Sequence, residues 1–344
     1  MTRRLRAPWP SLAMFVVLLS ACGGTTASAA PPVGTGTSAP SPTASLSPSA
    51  AASASPVTAL VDIPGSHVRM VPPQGFVPAT DFPGFQSADG SSILVSELAR
   101  SYSELVKDLT VDGLASGGIS VTSKTDVQVD GKAAVLVEGA QTSNGAQFGK
   151  ILLVTGTTKA SVVITGSYPL SAAGVRQTMH DAVLTVSFDP DRVIDPTAGL
   201  RFTLTPAAPL RFAGAFANTG SYDTSGTIPA ADPMEPSLFV APSLGDTPVA
   251  NVAAFAKARL EQTVQISNVK VGAATAVTVA GLDGVELIGT ATHQSGAQVF
   301  VYQVLLVQQD GTGYVLMSGR CRIAEQDKCL TMFRSSVATY AAKP

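Results

Sequence analysis

The 344-residue sequence predicts an α+β chain of two tandem units, each a layered domain of an antiparallel β-sheet flanked by helices. Three observations predict it. A string of short motifs recurs in the same order about 150 residues later. The apolar residues of each recurring stretch alternate with period two, the spacing of a half-buried strand. Segments with apolar residues three and four apart, the spacing of a helix with one buried face, bracket each stretch. Helices of that kind bury their apolar faces by lying on a sheet.

The recurrence is specific. Val129-Asp130-Gly131 and Val137-Glu138-Gly139 return as Val279-Ala280-Gly281 and Leu287-Ile288-Gly289, both offset by 150. Asn144-Gly145-Ala146-Gln147 returns as Ser295-Gly296-Ala297-Gln298, offset by 151. Ile151-Leu152-Leu153-Val154 and Val163-Ile164-Thr165-Gly166 return as Val304-Leu305-Leu306-Val307 and Leu316-Met317-Ser318-Gly319, offset by 153. Turn insertions account for the drift.

In chain order, residues 1–22 read as an export segment. Arg3, Arg4 and Arg6 precede the apolar run Leu12 to Leu19, which is shorter than the roughly 20 residues that span a bilayer. The run ends in Leu19-Ser20-Ala21-Cys22, which matches a bacterial lipobox. Cys22 is therefore the expected site of lipidation, and of attachment to the outer face of the cell membrane. Two or three acyl chains hold stably at about 0.8 kcal/mol per buried CH2. Residues 23–57 are almost entirely Gly, Ala, Ser, Thr and Pro, too apolar-poor to offset chain entropy, and read as a disordered tether.

The first unit occupies 58–190. Val68 to Val71 is a short opening strand. Tyr102, Leu105, Val106 and Leu109 then lie on one face of a helix that Ser101 and Glu104 start as a capping box and Gly117-Gly118 stops. Val127 and Val129 alternate into a turn at Asp130-Gly131. Val135 and Val137 lead to Asn144-Gly145, a two-residue hairpin signal. Ile151 to Val154 and Ser161 to Thr165 follow as strands. Val175, Met179, Ala182, Val183 and Val186 line a closing helix.

A short bridge, Asp189-Pro190 to Asp195-Pro196, leads to the second unit at 196–344, so the units are expected to touch. Leu200 to Leu204 is its opening strand, and Val252, Phe255, Ala256, Leu260 and Val264 share a helix face.

Composition excludes some functions. With residues 1–22 removed, 19 Lys+Arg face 24 Asp+Glu, a net charge of −5. That balance argues against nucleic acid and against adhesion to anionic lipid. The one Trp, Trp9, lies in the export segment.

Catalytic patterns are missing too. His67, His180 and His293 lie far apart and form no zinc spacing. No Gly-x-Ser-x-Gly occurs, and Ser267-Asn268-Val269-Lys270 is a bare Ser-x-x-Lys at an expected helix end, without its partner motifs. Asp81, Asp89, Asp223 and Asp232 read as turn formers. Glu138 and Glu286 lie on equivalent strands, two residues out of register, on an expected solvated face. No catalytic residue, metal site or cofactor is expected.

Cys321 and Cys329 remain once Cys22 is acylated. An even pair of thiols in an exported chain predicts a disulfide joining the end of the last strand to the start of the last helix.

The lipobox, the Pro/Ser/Thr tether, the entry Val71-Pro-Pro-Gln-Gly-Phe76, the hairpins and the closing helix resemble the actinobacterial LpqN/LpqT lipoproteins. The second unit lacks the Pro-Gln-Gly-Phe entry and carries a Pro-rich insertion from Tyr222 to Pro248. The resemblance implies a PsbP-like α/β/α sandwich in each unit, two in tandem, and a non-catalytic envelope protein. Two functions follow as expectations. One is a binding or scaffold module for an envelope protein or cell-wall component. The alternative is a carrier holding a lipid or glycolipid in an apolar cavity between sheet and helix.

Overall fold

A computed structural model describes residues 59–343, apart from 144, 173, 229, 231, 245 and 246. The export segment, Cys22 and the tether lie outside the described residues, as does Asn144 of the expected hairpin turn.

The first unit opens with β1 (Val61–Asp62) and β2 (Val68–Met70). Three strands follow, β3 (Val77–Pro78), β4 (Gly84–Gln86) and β5 (Ser92–Leu98). Helices α1 (Tyr102–Asp108) and α2 (Val111–Ser116) come next. A meander of β6 (Ile119–Val129), β7 (Lys132–Ser143), β8 (Ala146–Gly156) and β9 (Ser161–Pro169) leads to helix α3 (Val175–Val183) and β10 (Ser187–Phe188).

The second unit runs through β11 (Phe202–Thr203), β12 (Arg211–Phe216), β13 (Thr219–Asp223) and β14 (Ser237–Pro242) to helix α4 (Val252–Glu261). Its meander is β15 (Ile266–Val271), β16 (Thr275–Val279), β17 (Leu282–His293), β18 (Gln298–Val307) and β19 (Tyr314–Arg322). A short 3-10 turn, Ile323–Glu325, joins it to helix α5 (Gln326–Val337), and β20 (Ala341–Ala342) closes the chain.

The two large sheets have matching strand orders. The first is β3-β4-β5-β9-β8-β7-β6, and the second is β12-β13-β14-β19-β18-β17-β15, with β16 beside β15 on the same flank of β17. The pairings within both are antiparallel. The chain is thus two tandem antiparallel sheets, each flanked by helices. In each unit a small sheet ties the beginning to the end: β2 sits between β1 and β10, and β11 pairs with β20. The single edge strand β6 corresponds to β15 and β16 together.

Alternation sends neighbouring side chains to opposite faces. In the first unit Val135, Val137, Leu152, Val154 and Val163 face Leu105, Leu109 and Leu114 of the opening helices. Ala134, Leu136, Ile151, Leu153 and Ile164 face Met179, Ala182 and Val183 of α3. In the second, Leu287, Val299, Val301 and Leu305 meet Ala256 and Leu260 of α4, while Tyr302, Val304 and Met317 meet Met332, Phe333 and Val337 of α5. Each large apolar side chain so buried contributes about 1.5–3 kcal/mol.

Within the elements, the structure departs from the sequence reading after Ser101 and at Ser267. The single helix expected after Ser101 is two. Ser101 does cap it, accepting the Glu104 N–H at 3.4 Å and donating to Glu104 Oε2 at 2.8 Å. Leu109 then leaves helical geometry and Thr110 starts a new helix, its Oγ1 accepting the Gly113 N–H at 3.0 Å. A hydroxyl that can cap competes with helix continuation. The Pro-rich insertion Tyr222 to Pro248 contains β14, paired along its length with β19 in mid-sheet. Ser267 and Lys270 lie on β15, separated by a register shift, and not at a helix end.

The units meet through an apolar cluster. Ala79, Phe82 and Leu94 pack with Ala217 and Leu244, flanked by Phe216. Polar bonds frame it. Arg201 Nη2 donates to the Ala79 carbonyl at 2.7 Å, and Asn218 Nδ2 to the Asp81 carbonyl at 2.8 Å. Gly65 has φ +73°, and a Cβ there would stand 2.6 Å from the backbone nitrogen of Gly199. Only glycine fits that approach of the bridge to the first unit.

Candidate functional site

The chemistry-bearing side chains are mostly consumed by the fold. Glu138 and Glu286 show this best, and they correct the expectation of solvated carboxylates. Glu286 is 5% exposed. Arg334 of α5 holds it bidentately, Nε to Oε1 at 2.9 Å and Nη2 to Oε2 at 2.5 Å. The Arg334 bonds hold its carboxyl below the ordinary range; burial opposes them, and the Tyr302 hydroxyl adds a further bond. Burial and the adjacent Glu286 push Tyr302 up. In the first unit Arg176 of α3 donates to Glu138 Oε2 at 2.5 Å. Burial pushes the Tyr168 hydroxyl up, opposed by the charge of Arg176 and aided by that of Glu138.

The sheet register makes these two sites equivalent. Glu138 stands opposite Ile151, and Glu286 opposite Val304. Aligning Ile151 with Val304, as the offset of that motif requires, aligns the glutamates. The match of Val137 with Leu287 is two residues out, although the strands correspond.

The tyrosines come from exchanged positions. Tyr168 on β9 stands opposite Gly149 on β8, whereas Tyr302 on β18 stands opposite Gly319 on β19. A Cβ at Gly149 would lie 2.1 Å from the Tyr168 ring, and one at Gly319 would lie 2.8 Å from Phe333. Each unit therefore brings together a glutamate, a helix arginine and a tyrosine, and the glycine opposite each tyrosine lies under the Tyr168 ring in the first unit and under Phe333 in the second.

The histidines occupy unrelated places. His67 Nδ1 meets Glu97 Oε2 at 2.8 Å, and its backbone N–H also bonds Glu97. His180 lies beside its exposed neighbour Asp181 at 3.3 Å. His293 is 4% exposed and bonds Ser295 Oγ at 2.8 Å. No two of these sites share a partner. Among the described residues no group of three His, Cys, Asp or Glu side chains is placed to hold a metal ion. Asp89, Asp223 and Asp232 each accept a backbone N–H two or three residues ahead, the geometry of turn formers.

Cys321 and Cys329 are joined as a disulfide with Cα atoms 6.7 Å apart. Both are buried, and Met332 and Phe333 beside them are 8% and 0% exposed. The bridge anchors the first turn of α5 to the end of β19. Gly166 under Met179 and Gly319 under Phe333 draw each closing helix so near that a Cβ would come within 2.8 Å of the helix side chain. The space between sheet and closing helix is thus filled by side chains. A surface groove of about 500 Å3 beside β2 and β10 is lined by both signs of charge, among them Arg69, Asp130, Lys132 and Asp189. No helix among the described residues is long and apolar enough to cross a membrane.

No family model matches the chain. No curated protein matches it either. Solved structures resemble it remotely. LpqN, involved in cell envelope biogenesis of Mycobacterium tuberculosis, is 17% identical over 42% of this chain and 83% of its own, with a TM-score of 0.33. The cyanobacterial PsbP (CyanoP) of Synechocystis sp. PCC 6803 is 10% identical over 41% of this chain and 98% of its own, with a TM-score of 0.30. The T6SS immunity protein TplEi of Pseudomonas aeruginosa, in complex with the "L" peptide, is 12% identical over 78% of this chain and 99% of its own, with a TM-score of 0.31.

Proposed function

We propose that this chain is a lipid-anchored, non-catalytic binding or scaffold module on the outer face of the cell membrane. The observation that carries the non-catalytic part is the use of its reactive side chains as struts: Glu286 with Arg334, Glu138 with Arg176, His67 with Glu97, and Cys321 with Cys329. General acid–base catalysis needs such groups facing a substrate with a nucleophile in reach. Here they face one another. The anchoring part is supported by Leu19-Ser20-Ala21-Cys22 behind the short apolar run. The partner is an envelope protein or a cell-wall component, presented to two units that dock on each other rather than to a single face.

The lipid-carrier alternative requires an apolar cavity between sheet and helix. The burial of Met179, Val183, Phe333 and Val337 in that space favours the binding module. The test is membrane fractionation with mass spectrometry of the mature N-terminus. A lipid-modified Cys22, lost together with membrane association in Cys22→Ser, supports the anchor; an unmodified Ala or Gly start overturns it.

A further inference from the structure

One groove on the first unit holds a cation that the fold leaves unpaired. It has a volume of about 500 Å3 and lies beside β2 and β10. Val68, Met70 and Phe188 turn their side chains into the core, so the residues next to them in these strands face outward. Directly paired residues share a face. Arg69 therefore stands on the outer face between Asp62 of β1 and Ser187 of β10. Both of these neighbours are engaged elsewhere. Arg192 takes Asp62, and Ser187 Oγ donates to Asp130 Oδ2 at 2.9 Å. Lys132 pairs with the same Asp130 oxygen at 3.4 Å. Arg69 is half-buried in the groove wall, and its guanidinium has no ion pair or hydrogen bond among the described residues.

The opposite charge lines the same groove. Asp189 and Asp191 both belong to its wall. The Asp189 N–H donates to the His67 carbonyl at 3.1 Å, which carries the register of β2 with β10 one residue further. Asp189 thus shares the outer face with Ser187 and lies diagonally across from Arg69. Its Oδ1 accepts the Asp191 N–H at 3.2 Å, and that bond fixes the turn through Pro190 that presents both carboxylates. No cation pairs with either carboxylate among the described residues. The groove therefore carries an unpaired guanidinium and two unpaired carboxylates that do not reach one another.

We propose that this groove binds a zwitterion, a small ligand carrying a carboxylate and an ammonium group, with the carboxylate on Arg69 and the ammonium on Asp189 and Asp191. An anion alone would meet the two aspartates, and a cation alone would meet Arg69. A ligand with both groups answers each charge with its opposite. The guanidinium fork matches a carboxylate bidentately. A volume of about 500 Å3 falls in the range of small-ligand sites. The same two groups occur on a free amino acid and at the two ends of a short peptide. The inference rests on the reading of the chain as a binding module and names the chemistry of its ligand.

The test is a titration of the full chain with L-alanine and, separately, with alanyl-alanine. Acetate and ethylammonium, each carrying one of the two charges, are the controls at matched ionic strength. The readout is the NMR signal of each of the three histidines. His67 is the reporter, because its carbonyl holds Asp189, whereas His180 and His293 lie on α3 and β17. The expected result is a saturable shift of His67 with one or both zwitterions, with His180 and His293 unmoved. Alanine against alanyl-alanine distinguishes an amino acid from a peptide. Arg69→Gln should weaken the response by about tenfold or more, the scale of one lost charge-assisted bond. If that variant does not fold, Asp191→Asn in its place, at an exposed carboxylate, should weaken it several-fold. An equal response to acetate or ethylammonium, unsaturable shifts of all three histidines, or variants that fold and bind unchanged overturn the site. They leave the binding-module reading standing, because Cys22 lipidation is measured separately.

Discussion

At the scale of single residues, Glu286 is the most informative. A carboxylate that is 5% exposed survives because Arg334 holds both of its oxygens. Glu286→Leu should destabilise the fold by about 1 kcal/mol, since it removes the two bonds from Arg334 while that half-exposed side chain can turn to water. The pH dependence has a definite sign. The folded carboxyl titrates below its unfolded value, so its stabilisation is full at neutral pH, begins to fade as pH falls below about 5, and is gone once pH has passed below the folded value. Denaturation of wild type and Glu286→Gln between pH 3 and 7 should give curves that converge in acid; parallel curves would refute the assignment. The exchanged glycine and tyrosine make a second residue-scale prediction. Gly149→Ala should lower the melting temperature by several degrees through overpacking of the Tyr168 ring, at a cost of about 1–3 kcal/mol.

At the scale of elements, the disulfide and the split helix are the parts most open to test. The bridge closes a short loop, eight residues apart in sequence, and should contribute about 2–3 kcal/mol. Reduction should lower the melting temperature of the second unit, with α5 loosening first in hydrogen exchange. The first unit holds no thiol among its described residues and should respond only through the shared interface. Equal protection of α5 in oxidised and reduced protein would show that the bridge does not anchor it. Thr110→Ala removes the cap that starts α2 and should cost about 1 kcal/mol, read by chemical denaturation.

At the scale of the whole molecule, the decisive contact is the one between units. Phe82, Leu94, Ala217 and Leu244 exclude water there, and Arg201 and Asn218 satisfy backbone carbonyls around them. Leu244→Asp should put an unpaired charge in this cluster and break the shared cooperativity. Calorimetry should then resolve two transitions where the native chain shows one. A single transition in the variant would mean that the units are coupled by something other than this cluster.

Much of this architecture was legible in the sequence, for local reasons. The alternation from Val127 to Val137, the turn at Asp130-Gly131 with both residues at positive φ, the capping box at Ser101 and Glu104 and the spacing of the closing helices each specify their element through near neighbours. The repeat specified that the two halves share a strand order. Only the tertiary structure decided the rest, because it depends on what lies across the sheet. β14 lay hidden in a Pro-rich stretch, since pairing with β19 rather than propensity makes it a strand. Glu138 and Glu286 read as solvated because a glutamate on a strand is ordinarily exposed; their arginines come from helices 38 and 48 residues away. His293 and Arg320 carried no motif at all. Arg320 meets Gln265, 55 residues away in sequence, only once β19 folds beneath the segment before β15, and His293 is buried only by that same packing.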